Sequence, residues 1–152
     1  MTTSTTEPRC SIARSLAVLG ERWSLLIVRE AFWGRTRFAD FRSALGVSPD
    51  VLTARLGTLV EYGVLERRPY REEGAREREE YVLTDAGRDL LPVLAAIGGW
   101  GDAHRPSELG PSAEICERAS GERVDIRFVS LDGRVLEPAD VEMVHLPCES
   151  RR

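Results

Sequence analysis

With 152 residues, 42% of them apolar and a formal net charge of -4, the chain can bury one sizeable core and carry a small appendage. It lacks both an apolar run of about 18 residues and a charged-then-apolar leader, which argues against a membrane span or secretion signal and for a cytoplasmic location. Three widely spaced cysteines, Cys10, Cys116 and Cys148, suit reduced thiols better than a disulfide framework.

Along the chain, residues 1–8 form a Thr-rich leader without periodicity, expected to be disordered. Ile12, Leu16 and Leu19 then predict a helix that stops at Gly20. A second helix carries Trp23, Leu26, Ile27 and Phe32 and ends at Trp33-Gly34, with both tryptophans read as core. Phe38, Phe41 and Leu45, three and four apart, predict a third helix. Gly46 permits the left-handed turn that lets the next helix cross it. Ser48 can cap that fourth helix, Pro49 fits its first position and Asp50 suits the positive end of its dipole. Leu52, Leu56 and Leu59 form an apolar stripe that must be buried. The other face, with Asp50, Val51, Ala54, Arg55 and Thr58, is small, polar and singly basic, which a DNA major groove can accept. A helical hairpin inside a core shares this pattern, so the segment alone does not decide.

Leu65 to Tyr70, a loop of Arg71 to Arg76, and Glu77 to Leu83 read as a β-hairpin. Placed directly after a reading helix, such a hairpin is a wing. Its glutamates Glu72, Glu73, Glu77, Glu79 and Glu80 offset its arginines, so a merely solvated turn is the alternative. Charge is distributed unevenly along the chain. Residues 34–78 hold 9 arginines against 7 acids and residues 105–152 hold 7 against 10, with no lysine anywhere.

Thr84 caps a long predicted helix reaching His104, with Leu90, Leu91, Leu94, Ile97 and Trp100 as an apolar band and Pro92 near its start or at a kink. Together with the first helix it supplies a candidate two-fold dimer surface of Ile12, Leu16, Leu19, Leu94, Ile97 and Trp100, unless the appendage covers the band. Trp23, Trp33 and Trp100 are candidates for a small-molecule pocket there, and core packing explains the rings equally well. Beyond about Pro106, Val124-Ile126-Phe128 alternates, Asp132-Gly133 predicts a hairpin turn and Val141-Met143-Val144 a further strand, together a small antiparallel sheet. Cys116, His145 and Cys148, with His104, are metal-ligand types at irregular spacing, so no metal or other cofactor is expected. With two histidines, no paired nucleophile, no phosphate loop and no dinucleotide fingerprint, an enzyme is not expected either.

An ordered series of motifs resembles the HxlR-type winged helix-turn-helix transcription regulators from Cys10 to about Trp100. It runs through Leu19-Gly20-Glu21-Arg22-Trp23, Gly34-x-x-Arg37-Phe38, Leu52-Thr53-x-Arg55-Leu56 and Leu59. It continues with Tyr62-Gly63-Val64-Leu65-x-Arg67, Tyr81-x-Leu83-Thr84-x-x-Gly87 and Leu91-Pro92 with Trp100. The resemblance implies a mainly α fold with a small β-wing. Residues 9–104 would form a winged helix-turn-helix domain for DNA binding and dimerisation, and residues 105–152 a short antiparallel β appendage. It implies a homodimeric regulator, with repression the expected sense, on a near-palindromic double-stranded operator, modulated by a small-molecule effector or by thiol oxidation. The implied DNA contacts are Arg37, Ser48, Asp50, Val51, Thr53, Ala54, Arg55, Thr58, Arg67, Arg71, Arg76 and Arg78. Asp50 departs from the basic residue common in the family, and Gly74-Ala75 from a usual wing proline. Cys10 matches a position that some relatives use for redox sensing, which requires an accessible thiol near cations such as Arg9 and Arg14. The tail resembles zinc-ribbon appendages whose paired cysteines are here Val129 and Asp132. The alternative is a winged-helix protein-interaction module without specific DNA binding, which calls for an apolar reading face.

Overall fold

A computed structural model describes residues 8–146. Residues 1–7, most of the Thr-rich leader, and 147–152, including Cys148, lie outside the described residues. Two compact units divide at Ile97–Gly98. The first contains α1 (Ser11–Leu19), α2 (Arg22–Phe32), α3 (Phe38–Leu45), α4 (Pro49–Glu61), β1 (Leu65–Tyr70), β2 (Arg78–Leu83), α5 (Asp85–Arg88) and the opening turns of α6 (Leu91–His104). The second contains the end of α6, β3 (Phe128–Val129), β4 (Val135–Leu136) and a 3-10 turn at Pro138–Asp140.

The core of the first unit is built where the apolar periodicities meet. Ile27 and Val28 of α2, Phe41 of α3, and Leu52, Leu56 and Leu59 of α4 are all 0% exposed, and Val47, Val64 and Leu65 complete the cluster. Fully burying side chains of this size stabilises the fold by about 1.5–3 kcal/mol each. Gly46 has φ +62°, the left-handed geometry the turn between α3 and α4 requires. Ser48 accepts the Val51 amide with Pro49 following, as the capping pattern predicts. α4 ends in a Schellman arrangement, Val64 N to Leu59 O at 2.8 Å and Gly63 N to Val60 O at 3.0 Å, which sends the chain straight into β1.

β1 and β2 pair antiparallel, Leu65 opposite Leu83 and Tyr70 opposite Arg78. The hairpin is thus the expected wing. Its root is fixed by Thr84, whose amide donates to the Val64 carbonyl at 3.2 Å and whose hydroxyl donates to the Gly63 carbonyl at 2.5 Å. The same hydroxyl accepts the Gly87 amide at 3.1 Å and so caps α5. Gly87 is buried, and a Cβ there would stand 2.2 Å from the Val64 carbonyl oxygen. The Thr-x-x-Gly pair is therefore a close approach of α5 to the root of the wing.

Three sequence expectations change. The helix foreseen from Thr84 to His104 is two helices: α5 closes at Arg88, and α6 begins at Leu91. Pro92 causes the break, because its ring would clash with the carbonyl of Arg88 in a continuous helix and it has no amide to donate. Trp33, read as core, is 50% exposed at the C-terminal end of α2, with the Arg29 guanidinium 4.8 Å from its ring centroid. In the second unit the strands are shorter than the alternation suggested. Asp125 accepts the Ile126 amide through its own carboxylate at 2.8 Å, withdrawing that amide from a ladder. Pro138 ends β4 by starting the 3-10 turn, and among the described residues Val141 to Val144 form no strand. The turn at Asp132-Gly133 forms as expected, with Gly133 at φ +87°. The Ser130 hydroxyl and then the Arg134 guanidinium hold the Asp132 carboxyl below the usual carboxylate range, so its hydrogen bonds persist at neutral pH and are lost as acid protonates it.

Replacing Gly87 by alanine should destabilise the protein by about 1–3 kcal/mol, since neither the Val64 carbonyl nor the Leu83 methyl 2.9 Å away can move freely. Urea denaturation followed by circular dichroism measures this, and an unchanged midpoint would refute the close approach.

Candidate nucleic-acid interface

The outward face of α4 is set by its buried side. Because Leu52, Leu56 and Leu59 face inward at 0% exposure, the opposite side must face outward. Asp50, Val51, Thr53 and Ala54 are exposed there. Arg55 and Thr58, expected on the same face, are half-buried at its flank. The reason is angular: at about 100° per residue, Arg55 lies only some 60° from Leu52. Its stem therefore runs along the core edge, and its guanidinium reaches Glu21 at 3.9 Å. Thr58 donates to the Ala54 carbonyl at 3.1 Å within the helix, and the Ser48 oxygen is occupied as a cap acceptor at 3.4 Å.

Arg37 sits at the start of α3, where its Nη1 donates to Glu72 of the wing loop at 2.6 Å and its guanidinium lies 4.5 Å from the Tyr70 ring centroid. An arginine guanidinium is cationic at any working pH, and that hydrogen bond raises its pKa further. Within the wing, Arg67 approaches Glu79 at 3.8 Å, and Arg71 donates from Nε to the Ala75 carbonyl at 2.9 Å. Arg76 and Arg78 are exposed and make no ion pair among the described residues. Exposed pairs of this kind contribute only about 0–1 kcal/mol, so the arginines can exchange a carboxylate for another anion.

The sequence reading missed the carboxylate that anchors the turn before Arg37. Glu30, 2% exposed, accepts from both Arg29 and Arg35 at 2.5 Å and braces the turn that leads to Arg37. The Thr36 carbonyl accepts the Tyr81 amide at 2.7 Å, joining that turn to the free edge of β2. The spacing of Glu30 and Arg35 was visible in the chain, but their convergence depends on how α2 ends.

The other candidates are placed as follows. On the proposed dimer surface, Ile12, Leu16, Ile97 and Trp100 are more than half exposed, while Leu19 and Leu94 pack partly on the core. Trp23 lies half-buried on the core under Arg22, roughly 15 Å along α2 from Trp33. Trp100 belongs to the second unit, where its ring centroid is 5.2 Å from that of His104. A cavity in that unit is lined by Ile126, Arg127, Phe128, Leu136 and Pro138. Cys10 is a free, exposed thiol at the N-cap of α1, and the neighbouring Arg14 guanidinium donates to the Pro8 and Arg9 carbonyls. Cys116 is exposed and free. Among the described residues no three His, Cys, Asp or Glu side chains gather into a metal site, with Cys148 outside them. No described helix is long and apolar enough to cross a membrane.

This geometry has counterparts in known proteins. A sequence model of the HxlR-like helix-turn-helix family matches residues 18–109. An HTH-type transcriptional regulator of Mycobacterium tuberculosis, Rv3095, is 42% identical over 119 residues, covering 78% of this chain and 74% of that protein. The crystal structure of PA1607, assigned as a transcription factor, superposes with a TM-score of 0.78 at 39% identity, covering 93% of this chain and 99% of that one. The redox regulator HypR in its reduced form gives 0.57 at 28% identity, covering 63% of this chain and 94% of that one.

Ser48→Ala should lower stability by about 0.5–1 kcal/mol, the low end for a lost N-cap because the hydrogen bond is long, and Ser48→Gly by only a few tenths. Thermal unfolding of the two variants beside the parent tests this ordering, which reverses if Ser48 is not a cap.

Proposed function

The chain belongs to the HxlR-like helix-turn-helix family of transcription regulators, and on that premise we propose that it binds operator duplexes as a homodimer and acts as a repressor. Two copies of α4 enter successive major grooves about 34 Å apart on a near-palindromic site. The observation that carries this reading is the exposed strip of Asp50, Val51, Thr53 and Ala54 on a helix whose other side is wholly buried. Side chains this small let the helix backbone approach base edges closely, and Arg55 at the flank supplies the forked donor suited to guanine or to phosphate. Asp50, near the positive end of the helix, suits an exocyclic amine of cytosine.

Arg37, Arg67, Arg71, Arg76 and Arg78 contribute phosphate contacts and with them the salt dependence of binding. The more than half exposed Ile12, Leu16, Ile97 and Trp100 supply apolar area of the kind a two-fold interface buries. Modulation enters through a small molecule or through the exposed Cys10, and the redox regulator HypR among the structural relatives supports the second route. The cytoplasm, where operators are found in bacteria, is the compartment this reading requires.

Arg55→Ala should cost about 1–3 kcal/mol of operator affinity and relax selectivity at one base position, whereas Arg76→Ala should weaken all sequences alike and reduce the salt slope by about 0.9. Footprint titrations at several salt concentrations separate the two, and an Arg55→Ala protein with undiminished affinity would sink the assignment. A diamide-induced change in binding that persists in Cys10→Ser would remove the thiol route.

A further inference from the structure

The contact between Arg37 and Glu72 lies where the helix-turn-helix meets the wing, and the backbone there is secured without it. Thr36 is joined to β2 by the Tyr81 amide, and the Arg37 carbonyl accepts the Asp40 and Phe41 amides at 3.1 Å as α3 begins. The Tyr70 ring, 4.5 Å from the guanidinium, gives the cation a fixed platform. The ion pair is solvated by comparison, its side chains 44% and 55% exposed, and is therefore weak. Breaking it leaves the Arg37 guanidinium on Tyr70, with its fork open to another anion. Across the ladder from Tyr70 stands Arg78, on the same face of the hairpin and without an ion pair among the described residues. A carboxylate and a phosphate present the same oxygen pair to a guanidinium.

We infer that Glu72 is an internal stand-in for a DNA phosphate: it occupies Arg37 in the free protein, and a backbone phosphate replaces it on the duplex. Glu72 thereby sets affinity through Arg37, next to Arg78, and acts as a positioning residue that touches no nucleotide. The assignment rests on the DNA-binding reading above. It goes further in making an acidic residue of the wing a regulator of one particular arginine.

The test uses the full chain and a mixed-sequence duplex of about 30 base pairs, enough for two half-sites one helical turn apart. In Glu72→Gln, binding at about 0.1 M salt should tighten by up to roughly fivefold, the weight of an exposed ion pair that no longer has to be broken, while the slope of log K on log salt should stay close to the parent's because both complexes make the same phosphate contact. Glu73→Gln, altering a neighbour with no ion pair among the described residues, should do much less. In an Arg37→Ala background Glu72→Gln should change neither quantity, and the unfolding midpoint should stay where it is. Weaker binding by Glu72→Gln would make Glu72 a strut and overturn the inference. Equal effects of Glu72→Gln and Glu73→Gln would reduce it to a general field effect and overturn it as well. A parent protein that binds no duplex at low salt removes the regulator reading itself, an outcome distinct from the other two.

Discussion

Burial of Leu52, Leu56 and Leu59 is the constraint on which the molecule turns. Once those side chains are packed against Ile27, Val28 and Phe41, the rotation of α4 about its own axis is fixed, because rolling the helix would expose three large apolar groups at several kcal/mol. The polar strip then has one direction in which to face. The cap at Ser48 and the close at Gly63 fix the length of the helix, and the second of these also launches the wing. Orientation of the exposed polar strip and placement of the hairpin are thus two results of the same packing.

Electrostatics explain how a chain with net charge -4 presents a surface for a polyanion. Several cations near α4 and the wing have carboxylate partners: Arg55 has Glu21, Arg37 has Glu72, Arg67 has Glu79 and Arg68 has Glu66. The total charge says little, because the carboxylates lie on exposed surface side chains that the arginines can leave at small cost. What counts is which guanidiniums have anchored stems. Arg37 on Tyr70 and Arg55 along the core edge are anchored, and Arg76 and Arg78 have no internal rival.

Much of this was legible in the order of residues. Local signals of short range, the apolar spacing of α1 to α4, the cap at Ser48, the turn at Gly46 and the hairpin from Leu65 to Leu83, each carry their own physical cause within a few residues. Where the reading failed, the cause lay in competition between such signals or across distance. Pro92 outweighed a continuous apolar band and split one helix in two. Asp125 diverted an amide from a strand that alternation favoured. Trp33 kept its ring partly in water because Arg29 covers a face of it. The Glu30 pairs, close in sequence, depended on how α2 ends, and the Glu72 contact was invisible, since a carboxylate far from its arginine in sequence differs in no way from one that merely solvates a loop.

The wing is held firmly at one end only. Thr84 and Gly87 lock its first rung, Leu65 with Leu83, to the helices behind it, whereas residues 71–77 reach the helices only through the exposed pair of Glu72 with Arg37 among the described residues. The tip is exposed, and the packing of the root does not depend on which residues stand there. Insertions or changes of charge in that tip can therefore accumulate over evolutionary time while the domain behind remains intact, so descendants of one scaffold can drift toward new promoters without first losing their fold.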